Sequence, residues 1–253
     1  MTAGLLLETA LSAELYRLLL VFCRVATALL LLPGFGDGAM PPRVRVLASM
    51  AIALCMAPLA GQAVPVPGSW TVLAALLSEI AVGMLIGTLA RIILSALQMA
   101  GQVIGQCIGV ANIFTVGIGL DSSATIGAAL HAGCLAALFA VDGHHVALRA
   151  IANSYSALPL GVSPGLSGSA RSISETVAQA FHLALQLSLP FLLLTLLFNL
   201  ALAGMNRALP AVPVFMIGAP ALLFAGLQLL GVTAPTILTE ILGAYALVFQ
   251  PLR

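Results

Sequence analysis

Apolar residues occur along this chain in long blocks, separated by short polar or proline-rich segments. A bilayer span needs about 20 mostly apolar residues. We identify six or seven helical runs, some near that length and others shorter or longer; their ranges are 11–32, 46–60, 70–100, 122–141, 177–204, 212–231 and 236–248. No segment shows the strict alternation of a half-buried strand. The pattern predicts an all-α, polytopic integral membrane protein.

Several of these runs are too short, too long or too interrupted for simple spans. The run 46–60 is broken near its end by Pro58, and the last two runs are separated at Pro235. The segment 146–176 is mixed, and we predict a short amphipathic helix followed by an exposed loop. Irregular helices of this kind occur where backbone is buried in protein or lines an aqueous path.

The stretch 101–121 combines two helical stripes with a glycine-rich loop. Residues spaced four apart place glycines on one face and glutamines on the neighbouring face: Gly101, Gly105, Gly109, Gln98, Gln102 and Gln106. The glycine stripe alone is typical of close helix packing. Amides facing lipid are costly, so the glutamines should face protein or water. We therefore interpret this stretch as lining and closing a passage.

Composition supports a membrane location. Hydrophobic residues make up 61% of the chain, charged residues only 7%, and the mean hydropathy is +1.16. Soluble domains carry about 25% charged residues. The net charge of +1 gives no reason to expect a nucleic-acid partner. The four cysteines are scattered in apolar stretches without paired spacing, which indicates packing roles rather than disulfides or a metal site.

Arg24, Glu79 and Arg91 are charged residues deep inside apolar runs, and they need explanation. Arg24 is deep in the first run and has no oppositely charged neighbour at helical spacing, and Glu79 and Arg91 are several turns apart. One interpretation is snorkelling of Arg24 near a membrane edge, and the other is a buried contact with another subunit. The sequence leaves both open.

The chain offers no convincing catalytic or metal-binding motif. The GVSPG segment (161–165) matches a hydrolase pattern, but Pro164 lacks the N–H that the oxyanion hole requires. His144 and His145 are adjacent, so we expect their side chains to diverge, and the DGHH segment (142–145) is interpreted as a polar helix end. His131 and His182 are lone histidines in apolar runs. We predict no catalytic, metal or cofactor site.

Four segments together resemble the FliR family of flagellar export-gate proteins. They are RVATALLLLPGFGDGAMPPRVRV (24–46), AGQVIGQCIGV (100–110), DGHH with the later LPLG (158–161), and NRALPAVPVFMIGAP (206–220). The positions that match the family motif in the last segment are Arg207, Pro210, Phe215, Ile217, Gly218 and Pro220. Ala211 and Pro213 replace a Gln and an Asn that are usual in the family. The I-G-x-P form is similar to flagellar proteins rather than to the related injectisome SctT family.

The resemblance implies a subunit without enzymatic activity or cofactor. Such proteins assemble with FliP-like and FliQ-like subunits, near FlhB-like and FlhA-like proteins, into the type III export gate of the bacterial inner membrane. The gate passes unfolded flagellar proteins. Residues 1–170 would form a FliP-like part and residues 171–253 a FliQ-like helical hairpin, with helices arranged as bent hairpins.

The resemblance also suggests roles for particular residues. A plug loop would occupy about 109–121 and include Gly109, Asn112, Phe114, Gly117, Gly119 and Asp121. The glycine and glutamine stripes would face the channel or pack helices. Polar contacts between subunits would involve Arg24, Glu79, Arg91 and Arg207.

The rival interpretations are a secondary transporter using Glu79, Arg91 and His131, and a membrane enzyme, which lacks a catalytic constellation.

Overall fold

The computed structural model of the chain describes residues 2–36, 40–61, 66, 68–109, 122–208 and 214–250. In these ranges the chain forms seven α-helices and no strand, which confirms the all-α prediction. In chain order the helices are α1 (Thr2–Leu31), α2 (Pro42–Met56), α3 (Ser69–Cys107), α4 (Ser122–Ala140), α5 (Gly143–Ala157), α6 (Leu166–Ala208) and α7 (Val214–Val248). One 3₁₀ turn, Ala57–Ala60, follows α2.

The loop predicted up to residue 176 is much shorter in the structure. Helix α6 begins at Leu166, so the GSARS segment (168–172) is helical and that prediction is wrong. The Arg171 Nε atom lies 2.7 Å from a carboxylate oxygen of Glu175, one turn ahead. Such a pair supports an exposed helical turn. The local Ser and Gly content predicts a loop, because composition does not show that Arg171 and Glu175 pair along a helix.

The predicted break at Pro235 is also wrong, because α7 runs continuously through it. An interior proline removes one backbone hydrogen bond and costs about 3 kcal/mol in a soluble helix. A complete break would leave several backbone N–H and C=O groups without hydrogen bonds in apolar surroundings. Continuing the helix through proline loses only one hydrogen bond. Helix α6 likewise continues through Pro190.

The chain divides into two compact units. The first contains Met1–Ile92, Asp142–Thr176 and Tyr245–Arg253. Its interior includes the fully or nearly fully buried side chains of Leu20, Val25 and Ile86, together with Arg24 and Glu79.

The second unit contains Ile93–Val141 and Val177–Ala244. Its core is built from the last part of α3, α4, and most of α6 and α7. Fully buried members are Leu97, Ile104, Cys134 and Phe191. Helix α3 contributes its N-terminal part to the first unit and its C-terminal part to the second.

Four helical segments within the described residues are long and apolar enough to span a bilayer. They are Pro42–Ala60, Ser69–Cys107, Leu166–Ala208 and Gly218–Val248, and α4 with α5 adds a fifth if they are counted as one broken span. On α6, Leu196, Leu197 and Leu200 are 64–70% exposed. Apolar surface of this extent requires lipid or a protein partner. These features confirm a polytopic membrane protein.

Candidate functional site

Arg24 of α1 and Glu79 of α3 form a buried, two-pronged ion pair. The Arg24 Nε atom donates to Glu79 Oε2 at 2.6 Å, and an Arg24 terminal nitrogen donates to Oε1 at 3.1 Å. Both side chains are 0% exposed. Parallel N–H···O bonds of this kind fix both distance and orientation, and charge makes them about twice as strong as neutral hydrogen bonds.

The same two side chains also bind α5 and the turn after it. Arg24 donates to Ser154 Oγ and to the Leu158 carbonyl oxygen, each at 3.0 Å. Its guanidinium carbon lies 4.3 Å from the centre of the Tyr155 ring. Glu79 Oε1 accepts the Gly161 N–H at 2.8 Å. We call these six residues, Arg24, Glu79, Ser154, Tyr155, Leu158 and Gly161, the Arg24 network; it joins three helices and one turn.

Two glycines on α3 allow the helices of this network to approach closely. A Cβ added to Gly83 would overlap the Arg24 carbonyl oxygen and the Thr27 hydroxyl. A Cβ on Gly87 would lie 2.8 Å from the Ala28 carbonyl oxygen, below normal contact. Small residues four apart therefore bring α1 against α3, as in other membrane helix pairs. This approach places Arg24 within reach of Glu79.

The Arg24–Glu79 contact is made inside one chain rather than between subunits. Neither side chain retains exposed surface for another protein. Arg91 and Arg207, the other residues expected at subunit contacts, are exposed. Sequence reasoning missed Ser154, Tyr155, Leu158 and Gly161; the LPLG segment was the available signal for the last two.

The glycine face of α3 lies against α4. A Cβ on Gly101 would overlap Gly127 Cα and lie 2.7 Å from the Gly127 nitrogen. A Cβ on Gly127 would lie 2.9 Å from the Gln98 carbonyl oxygen. The two backbones are thus in direct contact, and Gly105 on the same face is buried. The structure therefore places Gly101 and Gly105 in the packed face of α3, whereas Gly109 has no atom within 4 Å of an added Cβ.

The glutamine stripe remains on the outside of the chain. The side chains of Gln98, Gln102 and Gln106 are all exposed. An amide moved from water into hydrocarbon without a hydrogen bond costs about 2–7 kcal/mol. This face of α3 therefore suits water or a polar protein partner and disfavours lipid.

Helices α6 and α7 both contact the C-terminal end of α3. Thr195 Oγ1 of α6 donates to the Cys107 carbonyl oxygen at 2.8 Å. A Cβ on Gly226 of α7 would overlap the Ile108 side chain. Gly109 then adopts φ +75°, the left-handed conformation that commonly ends a helix. Helix α3 therefore ends next to Gly109, where contacts from α6 and α7 hold it in place.

Most of the predicted plug lies outside the described residues. Asn112, Phe114, Gly117, Gly119 and Asp121 belong to this group. Gly109 is the described member, and α4 begins at Ser122 on the far side. The plug assignment stays a prediction.

The DGHH segment is a helix end, as predicted, because α5 begins at Gly143 directly after Asp142. One ligand atom from each of Asp142, His144 and His145 lies within 4.8 Å of the others. The expected divergence of the two histidines is therefore wrong. His131 is half-buried and His182 is exposed.

Residues 15–247 match the family described as bacterial export proteins, family 1. The chain is 31% identical over 223 residues to the flagellar biosynthetic protein FliR of Caulobacter vibrioides, covering 87% of this chain and 89% of that protein. It is 28% identical over 222 residues to FliR of Escherichia coli K12, covering 87% and 83%. It is 25% identical over 242 residues to FliR of Bacillus subtilis 168, covering 93% and 92%. The chain therefore belongs to the FliR family of bacterial export proteins.

Proposed function

We propose that this protein is a subunit of the flagellar type III export gate, which forms and closes a channel for unfolded proteins. The observation that carries the proposal is the family match across residues 15–247. Relatives that match most of the chain are flagellar biosynthetic proteins. A flagellar export role is accordingly favoured over an injectisome role.

The Arg24 network favours a structural subunit over a transporter. A coupling site needs an ionisable group that can change its partners or protonation during a cycle. Glu79, the carboxylate of the rival transporter hypothesis, is bound by Arg24 and Gly161 and has no exposed surface. Arg91, another residue of that hypothesis, is exposed. The buried charges thus fix helices in place.

The chemistry of the surface supports assembly with other membrane subunits. Exposed leucines on α6 suit lipid or apolar helices, whereas the exposed glutamines on α3 suit water or polar groups. A channel subunit requires both kinds of surface. We propose FliP-like and FliQ-like subunits as direct partners, with FlhB-like and FlhA-like proteins nearby, in the inner membrane at the flagellar basal body.

Helices α6 and α7 support a FliQ-like hairpin in residues 171–253, joined to a FliP-like part in 1–170. A Cβ added to Gly218 would lie 2.7 Å from a Leu202 methyl group. The two helices therefore meet close to the segment that connects them. Gly218 belongs to the VFMIGAP segment, and its contact with Leu202 gives a physical reason for a glycine there.

Copurification tests the proposed assembly. The tagged protein, extracted from its native membrane in mild detergent, should bring FliP-like and FliQ-like proteins with it. Recovery of the protein alone, or as a small homo-oligomer, would favour a transporter. Recovery of injectisome-type subunits would reassign the secretion system.

Deleting residues 113–119 tests the plug in the assembled complex. The loop follows the end of α3 at Gly109. Because the proposed loop closes the passage, its removal should let small ions cross the membrane. Unchanged ion permeability in a complex of normal composition would show that this loop does not close the channel.

A further inference from the structure

The segment 142–145 brings three metal-binding side chains together at the start of α5. One ligand atom from each of Asp142, His144 and His145 lies within 4.8 Å of the others. His145 Nδ1 is 3.5 Å from Asp142 Oδ1. The centres of the two imidazole rings are 4.2 Å apart, and the rings are tilted by 36°. None of these groups belongs to the Arg24 network.

The spacing fits a small tetrahedral cation. Zinc bonds of about 2.0–2.1 Å place neighbouring ligand atoms about 3.4 Å apart. The Asp142–His145 pair already has nearly this separation, at 3.5 Å. Asp142 and His145 are exposed and His144 is half-buried. Exposed side chains can therefore rotate the short remaining distance toward one ion.

The backbone explains how adjacent histidines reach one carboxylate. Asp142 has φ 57° and is the only residue other than glycine with positive φ in the described part of the chain. The His145 N–H donates to the Asp142 carbonyl oxygen at 3.0 Å. This tight turn folds Asp142 over the first turn of α5. The Asp142 carboxylate thereby lies beside the His145 ring, with Oδ1 3.5 Å from Nδ1.

We propose that Asp142, His144 and His145 bind one divalent transition-metal cation of the zinc type. The donors are one carboxylate oxygen and two imidazole nitrogens, a set that suits zinc better than calcium or magnesium. The ion replaces the weak His145–Asp142 attraction with coordinate bonds and connects the first turn of α5 to the residue before it. A fourth coordination position stays open at the surface for water or a ligand from a neighbouring subunit.

Zinc titration of the full chain tests the site. The detergent-purified protein, carrying no polyhistidine tag, should bind one equivalent of Zn²⁺ by calorimetry near neutral pH. Asp142→Asn preserves a residue that tolerates positive φ, and His145→Gln preserves side-chain size. Each should weaken binding at least about tenfold, since even loss of an outer-shell group costs about 10–100-fold. His182→Gln, which removes an exposed histidine on α6, is the matched control and should bind as the wild type does.

X-ray absorption at the zinc edge identifies the ligands directly. The proposal predicts two imidazole nitrogens, further light-atom ligands and no sulfur. Sulfur ligation would assign the zinc to cysteines instead. Absence of zinc uptake, or equal uptake by wild type and Asp142→Asn, would overturn the proposal.

Discussion

Replacing Glu79 by glutamine should strongly destabilise the protein through the Arg24 network. Glutamine keeps the shape of glutamate but removes its charge and exchanges one acceptor oxygen for an NH₂ donor. Glu79 accepts two bonds from Arg24 and one from Gly161. The substitution therefore leaves a fully buried guanidinium without its counter-charge and places one donor against another.

The expected cost follows from the number of interactions lost. Hydrogen bonds to charged groups contribute about 1.5–3 kcal/mol each, and breaking a buried pair by removing one partner costs about 3–5 kcal/mol. For a chain of this size, about 2–4 °C of midpoint shift accompanies each kcal/mol. We therefore expect Glu79→Gln to lower the unfolding midpoint by about 10 °C.

The cysteines provide an assay that uses the native fold. Cys107 and Cys134 are buried, Cys23 is half-buried, and Cys55 is exposed. In a Cys55→Ser background, a fluorogenic maleimide should react mainly as heating exposes the protected thiols. Their labelling temperature reports unfolding without depending on loss of helix in detergent.

A control and a second-site variant make the interpretation specific. Glu240 is exposed on α7, so Glu240→Gln should leave the labelling temperature unchanged. Adding Arg24→Met to Glu79→Gln removes the unpaired charge and should recover part of the loss. Full recovery is not expected, because Ser154 Oγ and the Leu158 carbonyl oxygen lose the donors that Arg24 supplies. If Glu79→Gln and Glu240→Gln shifted the labelling temperature equally, the stabilising role of the Arg24 network would be refuted.

Three further substitutions test other contacts by the same thiol assay. Gly101→Ala should cost about 1–3 kcal/mol by forcing α3 from Gly127, whereas Gly133→Ala, with no atom within 4 Å of the new Cβ, should not lower the midpoint. Gly161→Ala should cost about 1 kcal/mol because φ is +79°; an unchanged midpoint would contradict the strain argument. Gln102→Leu should leave the midpoint unchanged because its side chain is exposed, yet reduce flagellar protein secretion; normal secretion would count against the proposed polar passage.

The glycine packing face of α3 could be predicted from sequence, because periodicity alone determines which residues of a helix share a face. The spacing of Gly101, Gly105 and the glutamines predicts two distinct faces. The structure buries the glycines and exposes the glutamines, as a packed face and a polar face require. The contact of Gly101 with Gly127 was harder to predict, because nothing in the sequence of α4 identifies Gly127 as a contact residue.

Pairing of Arg24 with Glu79 was not predictable from the same patterns. The two residues are 55 positions apart, and their contact depends on how α1 and α3 align. The four-residue spacing of Gly83 and Gly87 is typical of close helix packing but does not identify α1 as the partner. Sequence could therefore show that Arg24 needed a partner without showing which one.

Helix ends were misjudged where local composition and tertiary context disagree. Pro235 and the GSARS segment both suggest breaks, yet each lies within a long helix. The expected divergence of His144 and His145 failed for a different reason. Both histidines lie in the regular first turn of α5, and their rings tilt toward each other with centres 4.2 Å apart, a side-chain arrangement that adjacency in sequence does not reveal.

Site-specific crosslinking tests the central claim that this subunit lines the export channel. A photoreactive amino acid at Gln102 should capture a flagellar substrate arrested in transit by a folded fusion domain. The same group at Leu200, which is 70% exposed on α6, should capture lipid or neighbouring subunits instead. Substrate adducts from Gln102 and none from Leu200 are the predicted result. Equal capture at both positions, or none at Gln102 in an actively exporting gate, would contradict the account.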